Sequence, residues 1–267
     1  MTDIDWPELA FLSNLEYFRE LSRRSGGTVL DEGGVTCYAS PHPMAFLVNG
    51  AFRTDPAVPP ADVLERAHEF FGRIDRAFHV MALSGRDDDL VAAAAEAGYA
   101  IEEGGDPVQV LTTGPVTGFD VPDVNFRAVT DVAGVHDYTS VCVDAHSVYG
   151  FPDDLFPTIF ARPAAMLAPH LYPVVGYDGD RPVATATAFL SHGVTCIGWV
   201  AVVPDQHRRG LGAAVTAHVT NLGLELGGRA AVLMASPMGA PVYRRMGFVD
   251  VGLLRGLSAP APGGGAN

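Results

Sequence analysis

The chain has 267 residues, 48% of them apolar, and its 31 acidic residues face 17 arginines and no lysine. This length and apolar fraction suit two domains, each with its own core. The formal net charge of −14 argues against nucleic acid as a partner, because a phosphate backbone would be repelled. A small cationic amine suits this charge better.

Three cysteines, Cys37, Cys142 and Cys196, lie far apart and form no Cys-x-x-Cys pair. Their odd number and spacing argue against a disulfide framework and a zinc site, so we expect no metal and a reducing compartment. The first residues form no signal peptide, and no window holds the roughly 18 unbroken apolar residues of a membrane helix. The sequence therefore predicts a cytoplasmic protein without a membrane partner.

Apolar residues recur near every third position from Leu9 to Leu21, which predicts an amphipathic helix that ends at Gly26 and Gly27. Strands and helices alternate after it, which favours an α/β fold with a mixed sheet. In this first half we predict strands at 46–48, 79–83 and 108–111, and helices at 61–78 and 87–97.

Glycine and proline cluster between residues 112 and 123 without apolar periodicity, and we place the domain boundary there. The predicted domains are 1–115 and 124–257, followed by a disordered tail at 258–267. In the second half we predict strands at 126–129, 174–177, 183–190, 195–203, 231–235 and from 248, and helices at 132–143, 153–167, 210–226 and 240–246.

The segment from Trp199 to Ala213 leads a buried strand through a basic, glycine-bearing loop into a helix. The first N–H groups of a helix lack partners and the helix dipole is positive there, so this place can hold an anion. Gly210 and Gly212 leave room for close approach, and Arg208 and Arg209 add charge. This arrangement suits a pyrophosphate.

The same segment resembles the acetyl-CoA signature of the GNAT superfamily, Gln/Arg-x-x-Gly-x-Gly/Ala, although His207 occupies the leading place and Gln206 comes one residue early. A second segment, 236–248, resembles the family's closing motif, Asn-x-x-Ala-x-x-x-Tyr-x-x-x-Gly-Phe, with Ser236 for Asn and Gly239 for Ala. Two motifs in the right order favour this family over an ordinary α/β domain whose glycines match by coincidence.

The resemblance implies an α+β GNAT fold, in which a mixed central sheet is flanked by helices and acetyl-CoA is the acyl donor. It also implies direct attack of an amine on the thioester, with a backbone N–H near Val202 on the carbonyl oxygen and Tyr243 as the acid that protonates the leaving thiolate. The implied cofactor-binding residues are Val200, Ala201, Val202, His207, Arg208, Arg209, Gly210, Leu211, Gly212, Ala213 and Ser236.

The general base is less well defined, with Asp144, His146 and His192 as candidates, each of which could instead be a solvated surface residue. The aromatic stretch 149–157 is either a lining of the acceptor pocket or part of the core.

Residues up to about 113 repeat the same order of elements and end in Gly98-Tyr99, similar to a remnant of the closing motif. Prolines 56, 59 and 60 stand where the anion loop would be, and the paired glycines are missing. The first half is therefore interpreted as a degenerate GNAT copy in a tandem protein. An unrelated α/β cap domain is the alternative.

The resemblance implies an N-acetyltransferase that acts on a primary amine of an unidentified, small acceptor. A non-catalytic acyl-CoA sensor or assembly module is the rival hypothesis. A nucleotide-binding P-loop is excluded, because its motif requires a lysine. Family members often form dimers, so a homodimer is among the arrangements that the resemblance allows.

Overall fold

The protein is described by a computed structural model that covers residues 4–45 and 48–260. The helices are α1 (Trp6–Ser25), α2 (Pro60–Arg73), α3 (Asp88–Glu96), α4 (Val132–Ser147), α5 (Leu155–Ile159), α6 (Pro163–Met166), α7 (Leu211–Glu225) and α8 (Ala240–Arg245). The strands are β1 (Thr28–Glu32), β2 (Val35–Ala39), β3 (Asn49–Arg53), β4 (His79–Leu83), β5 (Ala100–Ile101), β6 (Asp106–Leu111), β7 (Val124–Ala128), β8 (Leu171–Asp178), β9 (Arg181–Ser191), β10 (Val194–Val202), β11 (Ala231–Met234) and β12 (Val249–Ser258).

The chain divides into two compact units. Unit 1 contains the chain up to Tyr17 and Val108–Val251, and unit 2 contains Phe18–Pro107 and the chain from Gly252. Each unit has its own apolar core. The predicted fold class, a mixed sheet flanked by helices, is confirmed.

In unit 1 the strands follow the order β6-β11-β10-β9-β8-β7. Only β10 and β11 run parallel, and the other neighbours are antiparallel. A parallel pair needs a crossover connection, which α7 provides. Apolar side chains of α7 bury against this sheet, and Val215 and Val219 are fully enclosed.

In unit 2 the strands follow the order β1-β2-β3-β4-β12, and β5 pairs with β12. Here β3 and β4 are the parallel pair, and α2 is the crossover between them. Five apolar residues of α2, among them Phe70 and Phe71, are buried in the core of this unit. Both units therefore contain a strand-helix-strand motif of the same order.

The two halves of the chain exchange strands. In unit 1 the strand beside β11 is β6, which comes from the first half, and in unit 2 the strand beside β4 is β12, which comes last. The predicted domains 1–115 and 124–257 follow chain order, so the compact units do not coincide with them. Hydropathy cannot reveal such an exchange, because a strand has the same pattern wherever it pairs.

Most predicted elements lie within a few residues of the observed ones, although helix 61–78 ends at Arg73 and β5 was not predicted; four further differences follow. The predicted strand 46–48 falls partly on residues 46 and 47, which lie outside the described residues, and the observed strand is Asn49–Arg53. Predicted helix 153–167 is two short helices, α5 and α6, since Pro163 begins a new one. The hairpin of β1 and β2 was not delimited from sequence. Of the predicted tail, Ser258 ends β12, and residues 261–267 lie outside the described residues.

Candidate functional site

A gap opens along one side of β10. The pairing of β10 with β11 ends at Ile197 opposite Leu233, yet β10 continues to Val202. Five residues of β10, 198–202, therefore have no strand partner on the β11 side within the part of the chain that is described. An extended ligand can bind such an edge through its free backbone groups, as an added strand would.

A β-bulge shapes this edge. The register between β10 and β9 shifts between Gly198 and Ala201, and Trp199 takes a φ of 51°. The carbonyl of Trp199 accepts a hydrogen bond from the Thr185 hydroxyl at 3.2 Å, which holds the bulge. Such bulges re-aim backbone groups and are frequent beside functional sites.

The N–H of Val202 points into the gap. Val203 donates its N–H to the carbonyl of Val183 on β9 at 3.0 Å. Successive N–H groups of a strand alternate in direction, so that of Val202 points away from β9. The carbonyl of Val202 accepts a hydrogen bond from His207 Nε2 at 3.0 Å.

The N-terminus of α7 is open. Gly210 precedes the helix with a φ of 84°, a conformation that favours glycine, and no side chain caps the helix. A Cβ added at Gly212 would meet only Val202 Cγ2, at 3.8 Å. Among the described residues, no side chain caps the first N–H groups of α7 and none crowds Gly212, as an anion site requires.

The loop before α7 uses its basic residues in different ways. Arg209 binds Asp178 at 2.8 Å and also contacts Gln206, so part of its charge is already paired. Arg208 is exposed with a φ of 65° and makes no hydrogen bond with the described residues. Of the two predicted phosphate-binding arginines, Arg208 is the one available without rearrangement.

Tyr243 lies on α8 and is 9% exposed. Burial raises the pKa of its phenol to about 12, and a hydrogen bond with Thr216 of α7 offsets part of the rise. Its ring occupies the space beside Gly239, where an added Cβ would lie 2.9 Å from Cε2. This contact explains why glycine replaces the alanine of the motif.

Ser236 begins the turn into α8. Its Oγ accepts a hydrogen bond from the N–H of Gly239 at 3.2 Å, and the residue is exposed. The other predicted cofactor residues, Val200, Ala201, Leu211 and Ala213, lie on β10 and in the first turn of α7. The gap, the open helix end and α8 all belong to unit 1.

The three candidate bases have different surroundings. His192 lies in the turn before β10, and the strand itself, from Val194 to Val202, spans about 26 Å at 3.3 Å per residue. Asp144 is exposed on α4. His146, also on α4, packs against Phe156 and against Trp199 of the bulge, with ring centroids 4.7 and 6.4 Å apart. Of these three residues, His146 is the one whose side chain packs against the bulge of β10.

The described residues contain no group of three or more His, Cys, Asp or Glu that could hold a metal ion. Within the same residues, no helix has the length and apolarity to cross a membrane. All three cysteines are buried and unpaired.

Residues 136–248 match the Acetyltransferase (GNAT) family, and this range contains most of α4, the gap, the open end of α7 and Tyr243. This part of the chain is a GNAT acetyltransferase domain. GNAT acetyltransferases use acetyl-CoA as the acyl donor, so the predicted family and its general chemistry are confirmed. No curated protein is similar enough in sequence to count as a match.

Solved structures extend the fold to the whole chain. A GCN5-related N-acetyltransferase from Kribbella flavida is 22% identical, with a TM-score of 0.73 and 98% coverage of both chains. A conserved protein of unknown function from Staphylococcus epidermidis is 16% identical, with a TM-score of 0.64 over 88% of this chain and 95% of that one. A tandem GNAT protein from the clavulanic acid biosynthesis pathway is 12% identical, with a TM-score of 0.56 and coverages of 88% and 83%. At these low identities, it is the TM-scores that show a shared fold.

Sequence reasoning missed three parts of the GNAT domain's site. Thr216 lies one turn after Gly212, and its hydroxyl donates to the Gly212 carbonyl at 2.8 Å. Gln109 of β6 is fully buried and donates to the carbonyl of Ala240 at the start of α8. Trp199 is the third. The i+4 spacing could have revealed Thr216, but a contact between residues 131 positions apart has no local signal.

Proposed function

We propose that this protein is an acetyl-CoA-dependent N-acetyltransferase that transfers the acetyl group directly to a primary amine of a small acceptor. One observation carries the proposal. The unpaired edge of β10 leads to the open N-terminus of α7, and the phenol of Tyr243 on α8 lies near enough to Thr216 of α7 for that hydroxyl to lower its pKa. This arrangement offers an extended binding edge, an anion site and an acid within one unit.

Donor binding would use both backbone features. The first N–H groups of α7, with Arg208 beside them, hold the pyrophosphate. The free backbone groups of residues 200–202, which include the Val202 N–H but not its carbonyl, bind the pantetheine arm as a neighbouring strand would. Because most of these contacts come from the backbone, the replacement of the motif's Gln/Arg by His207 is compatible with binding, and His207 instead bonds the Val202 carbonyl.

The chemical step would use the N–H of Val202 and the phenol of Tyr243. Negative charge develops on the carbonyl oxygen as the amine attacks, and a preorganised N–H stabilises it. The carbon–nitrogen bond forms, the carbon–sulfur bond breaks, and the sulfur leaves with the electron pair. The phenol of Tyr243 donates a hydrogen bond to that sulfur.

The raised pKa of Tyr243 refines this role. A pKa of about 12 keeps the phenol protonated at neutral pH. It also lies well above the pKa of about 8.5 typical of a thiol, so complete proton transfer to a thiolate would be uphill. We therefore assign Tyr243 mainly to hydrogen-bond stabilisation of the developing thiolate. The proton that converts the thiolate to the thiol comes from the attacking nitrogen.

The first half of the chain is proposed to be a degenerate GNAT copy without a donor site of its own. Its strand-helix-strand motif has the family's order, but its crossover helix α2 begins at Pro60 after Pro59 and has no glycine pair there. We place the protein in the cytoplasm, where the three buried thiols stay reduced.

Replacement of Tyr243 by phenylalanine separates an enzyme from an acyl-CoA sensor. In Tyr243→Phe we expect acetyl-CoA affinity within about threefold of wild type and a kcat reduced on the order of 100-fold, as for loss of a hydrogen-bond donor to charge that develops in the transition state. Calorimetry gives the affinity, and thiol release with an amine panel gives the rate. Tyr172→Phe, which alters a half-buried tyrosine elsewhere in unit 1, serves as the control. Wild-type protein that binds acetyl-CoA and acetylates no amine would favour the sensor.

A further inference from the structure

An aromatic cluster lies beside the bulge of β10 and consists of His146, Phe151, Phe156, Phe160 and Trp199. The imidazole stacks on Phe151 at 5.4 Å and contacts Phe156 at 4.7 Å. The Trp199 ring meets Phe156 edge-on at 5.4 Å and Phe160 at 6.1 Å. All five residues belong to unit 1.

Trp199 connects this cluster to the reaction site. It is the bulge residue of β10 and precedes Val202 by three residues, a separation of about 10 Å along a strand. Its indole Nε1 is buried and has no hydrogen-bond partner among the described residues. A buried donor without a partner calls for an explanation, and a bound ligand with an acceptor atom is one.

The His146 ring has a defined orientation. Its Nδ1 lies 2.8 Å from the carbonyl oxygen of Cys142, one turn earlier on α4. A carbonyl only accepts, so Nδ1 carries the proton and the Nε2 of the neutral ring has a free lone pair. Nε2 makes no hydrogen bond within the described part of the chain. Burial lowers the pKa of His146, which keeps the ring neutral at physiological pH.

Few charges surround the imidazole. On α4 itself, Asp144 is exposed, and Cys142 contributes its carbonyl. The segment after α4 contributes the phenol of Tyr149, whose ring centroid lies 6.2 Å away. α5 contributes Phe156 and β10 contributes Trp199, neither of which carries charge. Among the described residues, burial and the Cys142 carbonyl are what shift the pKa of His146, so the neutral ring suits a base better than a resident cation.

We propose that His146 is the general base of the transfer reaction and that the aromatic cluster binds the acceptor, which is a primary amine with an aromatic or other bulky apolar substituent. This inference rests on the proposed function of the same unit. His146, Phe151 and Trp199 are half-buried, whereas Phe156 and Phe160 are buried, so solvent reaches the cluster at its first three members. The half-buried rings of Trp199 and Phe151 attract an arriving ammonium and then its apolar substituent, and the buried Phe156 and Phe160 support the Trp199 ring from behind.

The proton balance follows. The ammonium of the acceptor gives one proton to Nε2 of His146, directly or through one water, and becomes a nucleophilic amine. Its lone pair forms the bond to the thioester carbon, and the carbon–sulfur bond breaks. The nitrogen loses a second proton, which ends on the leaving sulfur with the help of Tyr243. His146 then releases its proton to solvent, so each turnover produces one amide, one thiol and one proton.

The test compares two amines and four proteins. The amines are 2-phenylethylamine and ethanolamine, which share a two-carbon spacer and differ in their end group. The proteins are wild type, His146→Gln, Phe151→Leu and the control His136→Gln, which alters an exposed histidine of the same helix. Thiol release is followed from pH 5 to 9, and acetyl-CoA affinity is measured for every protein.

We expect wild-type kcat/KM for 2-phenylethylamine to exceed that for ethanolamine by at least about tenfold, or 1.4 kcal/mol. It should fall as the pH drops through the lowered pKa of His146, because the protonated ring cannot accept a proton. His146→Gln should lower kcat on the order of 100-fold and remove this acidic limb, with acetyl-CoA affinity unchanged. Phe151→Leu should raise the KM for 2-phenylethylamine and leave the limb in place, and His136→Gln should match wild type.

Several results would overturn the inference while the proposed function stands. These are wild-type kcat and pH profile in His146→Gln, equal use of the two amines, and binding of acetyl-CoA with neither amine accelerating thiol release. Failure of the wild-type protein to bind acetyl-CoA would contradict the proposed function itself. Phe151→Leu keeps the binding claim testable should His146→Gln not fold.

Discussion

The two strand-helix-strand motifs of this chain have the same order and differ at one place, the end of the first strand. In unit 1, β10 continues five residues past its last pair with β11. In unit 2, β3 ends at Arg53, one residue past its last pair with β4. The first motif therefore has a gap that can receive an extended ligand, and the second has none.

Side chains at the end of β3 make it differ further from the end of β10. The guanidinium of Arg53 binds Asp87 at 3.0 Å and Asp89 at 2.6 Å, at the start of the helix that follows β4. Arg53 is 1% exposed and Asp87 is completely buried. An ion-pair network thus holds the end of this motif together. The same secondary structure provides a ligand site in one unit and a structural closure in the other.

The largest expected effect tests whether each unit needs the strand that it receives from the other half of the chain, β6 in unit 1 and β12 in unit 2. Fragment 124–267 lacks β6, so the buried strand β11 would become an exposed edge, and exposed apolar edges aggregate. We expect this fragment alone to be insoluble or to lack a cooperative unfolding transition. Coexpression with fragment 1–123 should restore a soluble complex that binds acetyl-CoA. A soluble, cooperatively folded 124–267 that binds acetyl-CoA alone would refute the exchange.

Removal of Arg53 tests the closure in unit 2. Arg53→Ala leaves buried Asp87 with Arg86 as its remaining cation, and loss of one partner of a buried pair should lower the free energy of unfolding by about 3 kcal/mol. Urea denaturation measures this change. Arg73→Ala, which removes an exposed pair with Glu69, should stay near wild type. Equal effects of the two substitutions would show that the network contributes little.

The smallest expected effects on stability come from replacing one glycine at each of the two crossover helices, α7 and α2. Gly210 has a φ of 84°, so Gly210→Ala should lower stability by about 1 kcal/mol through backbone strain. Gly72 lies inside α2 without positive φ, and an added Cβ there meets nothing within 4 Å. Gly72→Ala should therefore raise stability by about 0.5 kcal/mol. Thermal unfolding compares both variants, and a stabilising Gly210→Ala would contradict the role of that glycine.

The sequence was sufficient to predict most of the individual helices and strands and the positions of the two motifs. Periodicity located α1, the glycine-bearing loop located the start of α7, and β4 was predicted with the observed bounds, because a helix or strand shows its pattern within a few residues. Gly210 and Gly212 could be assigned to the start of a helix, because glycine there has a specific backbone meaning.

What the sequence could not provide depends on contacts between distant residues. The exchange of β6 and β12 pairs strands more than a hundred residues apart. The partial neutralisation of Arg209 by Asp178 depends on a salt bridge across 31 residues. The preference for His146 over Asp144 and His192 required its contact with Trp199, which a bulge directs and periodicity does not predict.

The most direct test of the account is a calorimetric titration of acetyl-CoA into wild type, Gly212→Ala and Gly212→Glu. Alanine fits both the motif and the space beside Val202, and glutamate adds bulk and negative charge where the pyrophosphate should bind. An acidic residue at a helix N-terminus also favours the helix, so weaker binding would not reflect unfolding.

We predict one site per chain in wild type, affinity within a few-fold of it in Gly212→Ala, and a loss of more than about tenfold in Gly212→Glu, or 1.4 kcal/mol. Absence of binding to wild type at high micromolar acetyl-CoA, or equal binding by wild type and Gly212→Glu, would contradict a donor site at the start of α7.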